Sequence, residues 1–261
     1  MENGLLKEDA IWLPYKGQPL STNNSIHLFK IKVDTHYKKV DFKAVLSKKE
    51  LEKAYRFLRQ NDRESYIISK YFLRILLSKF IHLSATEIEY SYTGNHKPAL
   101  PEIQFNMSHS ENYVLIAISE HPIGIDIEYV NRNFNFSEMM PMCFNQQESS
   151  FILNDDPITK FYLLWTRKEA LLKATGEGLT DHLNQVPSLL NEVARNEKLF
   201  KIDSIKINET TRGILPPTNK DENDHAGFIT DKNQFHSDEN YLISWAFYLQ
   251  HNITVTLWDC L

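Results

Sequence analysis

The sequence predicts an α+β protein made of two similar lobes, each a small antiparallel sheet packed with helices. Three observations carry this. The chain has 261 residues, long for one core and comfortable for two. An order of strand, helices and strands occurs twice along it, without any close repeat of sequence. Between the two occurrences lies Ile123-Gly124-Ile125-Asp126-Ile127-Glu128-Tyr129, whose strict alternation is the period of a β-strand. The expected lobes are residues 1–122 and 123–261, with this strand near the seam.

The elements follow in order. Residues 1–24 are polar, contain Pro14, Gly17 and Pro19, and read as an arm without regular structure. Phe29, Ile31 and Val33 alternate with Lys30 and Lys32, the pattern of a half-buried strand. From Leu46 to His82 there is no Pro or Gly, and apolar residues fall on helical stripes. Asn61 and Asp62 are expected to divide this stretch into two helices as N-caps. Gly94 to Pro101 reads as a turn-rich connection. Strands are then expected at Phe105–Ser110, Tyr113–Ile118 and Ile123–Tyr129.

In the second half a helix from about Ile158 carries Phe161, Leu164, Trp165, Leu171 and Leu172 as its buried stripe. Gly176 and Gly178 suit the left-handed turn that ends it. Strands follow near Lys201–Ile207, Tyr241–Gln250 and Ile253–Trp258. The polar residues 208–239 between them read as a loop excursion.

Composition narrows the function classes. Hydrophobic residues at 42% and charged ones at 24% are ordinary globular usage. A net charge of −5 argues against bulk electrostatic binding to nucleic acid or an anionic membrane. Locally, Lys48 to Lys79 holds nine Lys or Arg against four Asp or Glu, a basic face suited to a small polyanion. Cys143 and Cys260 sit in no metal-ligand spacing and suggest no disulfide framework. The stretch Tyr66 to Leu83 is broken by Lys70, Arg74 and Lys79 and cannot span a membrane. With no cationic start and apolar run at Met1-Glu2-Asn3-Gly4, a cytoplasmic location is expected.

The chemistry is carried by two segments. Asp126 and Glu128, two apart on one strand face, lie roughly 7 Å from each other along the strand, and Gly124 on that face is expected to leave room beside them. Like charges that close raise a pKa unless a cation intervenes. Alone, the pair reads as a solvated strand face. Downstream, in Trp165-Thr166-Arg167-Lys168-Glu169-Ala170-Leu171-Leu172-Lys173, Glu169 and Lys173 share a helix face four apart. Alone, they read as a surface ion pair. Together, Asp126, Glu128 and Glu169 offer three oxygen ligands for Mg²⁺, and Lys173 could meet a phosphate beside them. This is equipment for a magnesium-bound polyphosphate.

Here the sequence resembles the two-lobed, Sfp-type 4′-phosphopantetheinyl transferases. The matching segments are Gly94 to Pro98, Phe105-Asn106-Met107-Ser108-His109-Ser110, Ile123 to Glu128, and Leu164 to Lys173 followed by Gly176 and Gly178. The resemblance implies two lobes in a pseudo-twofold arrangement, a monomer, and transfer of the phosphopantetheine arm of coenzyme A to a serine of an apo acyl or peptidyl carrier protein, releasing 3′,5′-ADP. It further implies that Asp126, Glu128 and Glu169 hold Mg²⁺ and that Glu169, directly or through a water, takes the serine proton. Lys173 neutralises the leaving phosphate. His109 contacts the 3′-phosphate, with Ser108, Lys97 and Pro98 around the nucleotide and Lys53 and Arg63 adding contacts from the first lobe. Two departures stand out: Glu50 occupies a position where the family often has a basic residue, and a gapless match sets Ser65 rather than Arg63 at the nucleotide. Phe134, Phe136 and Met139 are candidates either for docking the carrier helix or, equally, for the core. Two other readings remain in view. A magnesium-dependent nuclease or phosphohydrolase would call for a carboxylate-x-Lys strand and a basic surface. A non-catalytic carrier-binding module would call for a missing ligand or lysine.

Overall fold

A computed structural model describes residues 4–7, 10–92, 97–178, 182–214, 234–249 and 253–260. The first half holds β1 (Leu13–Tyr15), β2 (Ser25–Lys32), α1 (Val33–Tyr37), α2 (Lys48–Ala54), α3 (Gln60–Ile81), β3 (Ser91–Tyr92), β4 (Pro98–Ala99), β5 (Gln104–Ser110) and β6 (Tyr113–Ser119). The second holds β7 (Ile123–Tyr129), α4 (Met140–Cys143), α5 (Gln146–Leu153), α6 (Pro157–Thr175), β8 (Glu192–Arg195), β9 (Lys198–Ile214), β10 (Gln234–Tyr248) and β11 (Thr254–Cys260). One sheet has the order β1-β11-β2-β6-β5, another β7-β10-β9-β8, and β3 pairs with β4 in a small ribbon. The α+β class expected from the sequence is what the chain forms, but the first sheet is mixed rather than antiparallel, because β11 arrives from the far end of the chain and runs parallel to both β1 and β2. Among the described residues no helix is long and apolar enough to cross a membrane.

The two large sheets pack face to face. Ile26, Leu28 and Leu115 of the first meet Ile123, Ile125 and Ile127 of the second in one apolar layer. On the outer face of the first sheet, α3 buries Ile68, Leu73 and Leu77 against Phe29, Ile116 and Ile118. On the outer face of the second, α6 buries Ala170, Leu171 and Leu172 against Ile202 and Ala246. The layers therefore run helix, sheet, sheet, helix, and β5 and β7 are the strands at the edges where the two sheets meet.

Several boundaries differ from expectation. The polar arm is not irregular throughout: β1 pairs in parallel with β11, the Lys7 backbone bridges to Ile205, and Leu5 is buried in the second lobe's core. A three-residue strand has too little pattern to announce itself, and its partner lies far along the chain. The last strand does not stay with residues 123–261. β11 inserts between β1 and β2, because its two faces serve two cores, Val255 and Leu257 on one side and Trp258 and Cys260 on the other. Of the expected excursion at 208–239, residues 208–214 and 234–239 extend β9 and β10 in a continuous antiparallel ladder. Backbone pairing carries strand structure into a polar stretch there, and 215–233 lie outside the described residues. Neither Asn61 nor Asp62 is an N-cap: α2 is capped by Ser47 in a capping box with Glu50, and α3 starts from Arg59 with no side-chain cap.

Candidate active site

β7 meets α6 at Gly124. A Cβ placed there would lie 2.0 Å from Ala170 O, 2.4 Å from Ala174 N and 2.9 Å from Lys173 C, all helix backbone. The glycine thus does not open space beside the carboxylates, as its alternation suggests. It lets the last turns of α6 rest on the strand, which brings Lys173 down onto Asp126.

Lys173 Nζ stands 2.6 Å from Asp126 Oδ1 and donates at 3.3 Å to both Ser108 Oγ and Ile125 O. Ser108 Oγ donates to the same Asp126 oxygen at 2.8 Å. β5 joins this edge through one face of its own. Asn106, Ser108 and Ser110 alternate along it, reaching Ile125 N, the Asp126 carboxylate and the Glu128 carboxylate in turn. Ser110 Oγ also accepts from Tyr129 N at 3.0 Å. Period-two spacing could have flagged Asn106 and Ser110 as partners of Ser108, and sequence reasoning did not assign them roles.

Asp126, Glu128 and Glu169 face one another electrostatically. Glu128 is pushed up to about 7, by burial first and then by Asp126; Ser110 and Lys173 oppose this, and Glu169 adds to it. Burial also raises Glu169, with Lys173 opposing and Asp126 reinforcing. Two carboxylate oxygens, Asp126 Oδ2 and Glu169 Oε1, are buried with no hydrogen-bond partner. Orphan anionic oxygens of this kind fit a hard divalent cation. As they lie, however, no three His, Cys, Asp or Glu side chains among the described residues form a group that could hold one. Lys173 sits on Asp126 at 2.6 Å, and Ser110 Oγ donates to Glu128 at 3.2 Å.

The nucleotide candidates divide. Lys97 Nζ donates to Lys173 O at 2.8 Å, against the C-terminal turn of α6, where a cation also suits the helix dipole. Burial first, and Lys173 second, lower its pKa. Pro98 lines both a cavity of about 310 Å³ beside Ala174 and Gly176 and a larger cleft of about 650 Å³ between α2 and α3. The preceding glycine of that motif lies outside the described residues. His109 is exposed on β5; loss of hydration lowers its pKa most, Lys173 adds to this, and Asp62 and Asp126 oppose. Lys53 stands 5.4 Å from the centroid of the Tyr66 ring in the larger cleft. Arg63 is not among that cleft's lining residues and acts on Tyr37 in α1 instead. Ser65 is buried and donates weakly to Glu111 O at 3.5 Å. Phe134 and Phe136 pack on Phe161, with centroids 5.7 and 4.8 Å away, and Met139 joins the same core.

Within the α6 motif, Arg167 and Lys168 turn inward. Arg167 binds Ser188 O, Leu190 O, Asn191 Oδ1 and Ser204 Oγ between 2.7 and 2.9 Å. Lys168 Nζ pairs with both Glu148 oxygens at 2.9 and 2.8 Å and donates to Leu183 O and Val186 O. These groups pin the helix so that Glu169 and Lys173 face β7. Glu148→Gln is expected to destabilise the protein by about 3 kcal/mol in chemical denaturation, since it leaves a buried ammonium without its counter-charge. An unchanged midpoint would show that the backbone carbonyls suffice.

Carboxylates and a lysine thus meet where β5, β7 and α6 come together, and a lysine-lined cleft lies between α2 and α3 of the first half. A family model described as 4′-phosphopantetheinyl transferase superfamily matches residues 122–226, and one described as 4′-phosphopantetheinyl transferase, N-terminal, matches residues 35–121. The chain is 31% identical over 179 residues to the 4′-phosphopantetheinyl transferase HetI of Nostoc sp., covering 64% of this chain and 76% of HetI. It is 31% identical over 145 residues to Sfp of Bacillus subtilis, covering 53% and 64%, and 30% identical over 157 residues to ffp of the same organism, covering 58% and 69%. The aligned stretch thus spans less than two thirds of Sfp. The chain belongs to the 4′-phosphopantetheinyl transferase superfamily.

Proposed function

We propose that this protein transfers the 4′-phosphopantetheine arm of coenzyme A to a serine of an apo acyl or peptidyl carrier protein and releases 3′,5′-ADP. The observation that carries the reading is Lys173 on Asp126 at 2.6 Å, with Glu169 one turn earlier on the same helix. Asp126, Glu128 and Glu169 are the residues that would hold Mg²⁺, and Lys173 would leave Asp126 to make this possible. A bound divalent ion supplies charge neutralisation at the pyrophosphate. Glu169, its basicity raised by burial, takes the proton of the serine hydroxyl. The serine oxygen bonds to the phosphorus that carries the arm, and the bond from that phosphorus to the departing nucleotide breaks. Lys173 balances the charge left on the leaving phosphate. Ser108 and Lys97 hold Lys173 from either side. Phosphoryl transfer depends on such positioning more than on covalent catalysis. The net charge of −5 and the confined basic cleft support small polyanionic and protein partners rather than nucleic acid or membrane, and a monomer is the proposed working form.

The test is incubation with coenzyme A, Mg²⁺ and a panel of apo-carriers, read by intact mass. One carrier is expected to gain one phosphopantetheine arm, to lose that gain when EDTA is present, and to recover it with excess Mg²⁺. No gain on any carrier defeats the proposal; a gain insensitive to EDTA removes the metal from it.

A further inference from the structure

β5 and β7 close the seam without a backbone ladder between them. β5 bonds only to β6 and β7 only to β10, so each presents an open edge to the other. On such an edge every second N–H points away from the strand already paired, and one left without an acceptor in a buried seam is costly. On β7 the N–H groups of Ile125 and Tyr129 are of this kind. Asn106 Oδ1 accepts the first and Ser110 Oγ the second, both at 3.0 Å. Each bond joins residues 19 apart in the chain, so β5 and β7 run side by side in one direction. Side chains splice them where a sheet would use carbonyls.

The two splices fall on either side of Asp126 and Glu128. Ile125 is held twice, because its carbonyl accepts from Lys173 at 3.3 Å while Asn106 holds its N–H. Ser110 also acts twice, since the hydroxyl that accepts from Tyr129 N donates to Glu128 Oε2 at 3.2 Å. Between the splices Ser108 Oγ reaches Asp126 at 2.8 Å. Strands joined through their backbones lie about 4.8 Å apart. An acceptor that stands off its own backbone holds the edges further apart, and the carboxylates keep a polar slot to work in.

We propose that Asn106 and Ser110 are positioning residues for the cation site. They clamp the β7 backbone before Asp126 and after Glu128, and so fix the separation at which both carboxylates meet one divalent ion. The inference rests on the magnesium reading and adds to it two residues that act through the strand rather than as ligands.

The test uses the full chain and two readouts. Amide hydrogen exchange reads the clamp, and Mn²⁺ binding in the presence of coenzyme A, followed by electron paramagnetic resonance, reads the site. Ser110→Thr and Ser110→Val have nearly the same shape and differ in the hydroxyl; Asn106→Leu removes the other acceptor. In wild type the Ile125 and Tyr129 amides are expected to exchange slowly although they lie on a sheet edge. Asn106→Leu should speed exchange at Ile125, and Ser110→Val at Tyr129, about tenfold or more, with the amides of β9 unchanged. Both should weaken Mn²⁺ about tenfold, and Ser110→Thr should match wild type in both readouts. Unchanged exchange in the two variants, or faster exchange with wild-type Mn²⁺ affinity, would overturn the clamp. So would Ser110→Thr behaving like Ser110→Val, which would assign the effect to bulk. Should Asn106→Leu fail to fold, the Ser110 pair at its half-buried position carries the test alone. Wild type that protects both amides but binds no Mn²⁺ would sink the magnesium reading and the clamp's role with it, a failure distinct from Mn²⁺ binding that ignores both substitutions.

Discussion

Glu169→Gln is expected to slow carrier loading by about a thousandfold or more, about 4 kcal/mol of transition-state stabilisation, while leaving the fold intact. The substitution keeps the size of the side chain and removes only its charge and its ability to accept a proton. Glu169 is half-buried on α6, with Oε1 buried and without a hydrogen-bond partner among the described residues, so no hydrogen bond of the fold depends on that oxygen. Its chemistry depends on it entirely. Burial favours its protonated form, Lys173 opposes that shift, and Asp126 reinforces it. Single-turnover loading at saturating coenzyme A, followed by intact mass beside a denaturation curve, separates the two effects. Near wild-type loading would remove Glu169 from the reaction.

Gly124→Ala should be nearly as damaging to loading, and it should also destabilise the protein, by about 3 kcal/mol. The added methyl would meet Ala170 O at 2.0 Å and Ala174 N at 2.4 Å. Neither is the free end of a side chain, so no rotamer change relieves the clash. α6 must lift from β7, and Glu169 and Lys173 are carried away from Asp126 and Glu128 with it. Loading should fall further than the loss of folded protein accounts for. A variant with wild-type stability and full loading would mean that the helix and strand are not in backbone contact.

The contrast between these two residues shows what the sequence made legible. The alternation of β7 and the four-residue spacing of Glu169 and Lys173 are local patterns, and the structure packs one against the other. Gly124 was misread for lack of a partner: alternation shows which face a glycine occupies but not what lies against it. Arg167 and Lys168 gave the same difficulty, since two charged residues in a helix look solvent-facing until Glu148, Ser188 and the surrounding carbonyls are in place. The seam contacts of Asn106 and Ser110 depend on two sheet edges meeting, which no local window contains. The basic run from Lys48 to Lys79 was visible as charge, yet only the fold distinguishes Arg74, consumed by Glu50, from Lys70, left over Tyr66.

The threading of β11 between β1 and β2 has a consequence for how the molecule comes into being. During synthesis the first 122 residues emerge with a gap in their sheet that only residues 254–260 can fill, so this half cannot mature ahead of the other. The wait exposes the open flanks of β1 and β2 to stray pairing for most of translation, and closure over so long a separation is intrinsically slow. A cut after residue 122 would therefore yield not two working halves but one sheet missing its middle and one orphan strand.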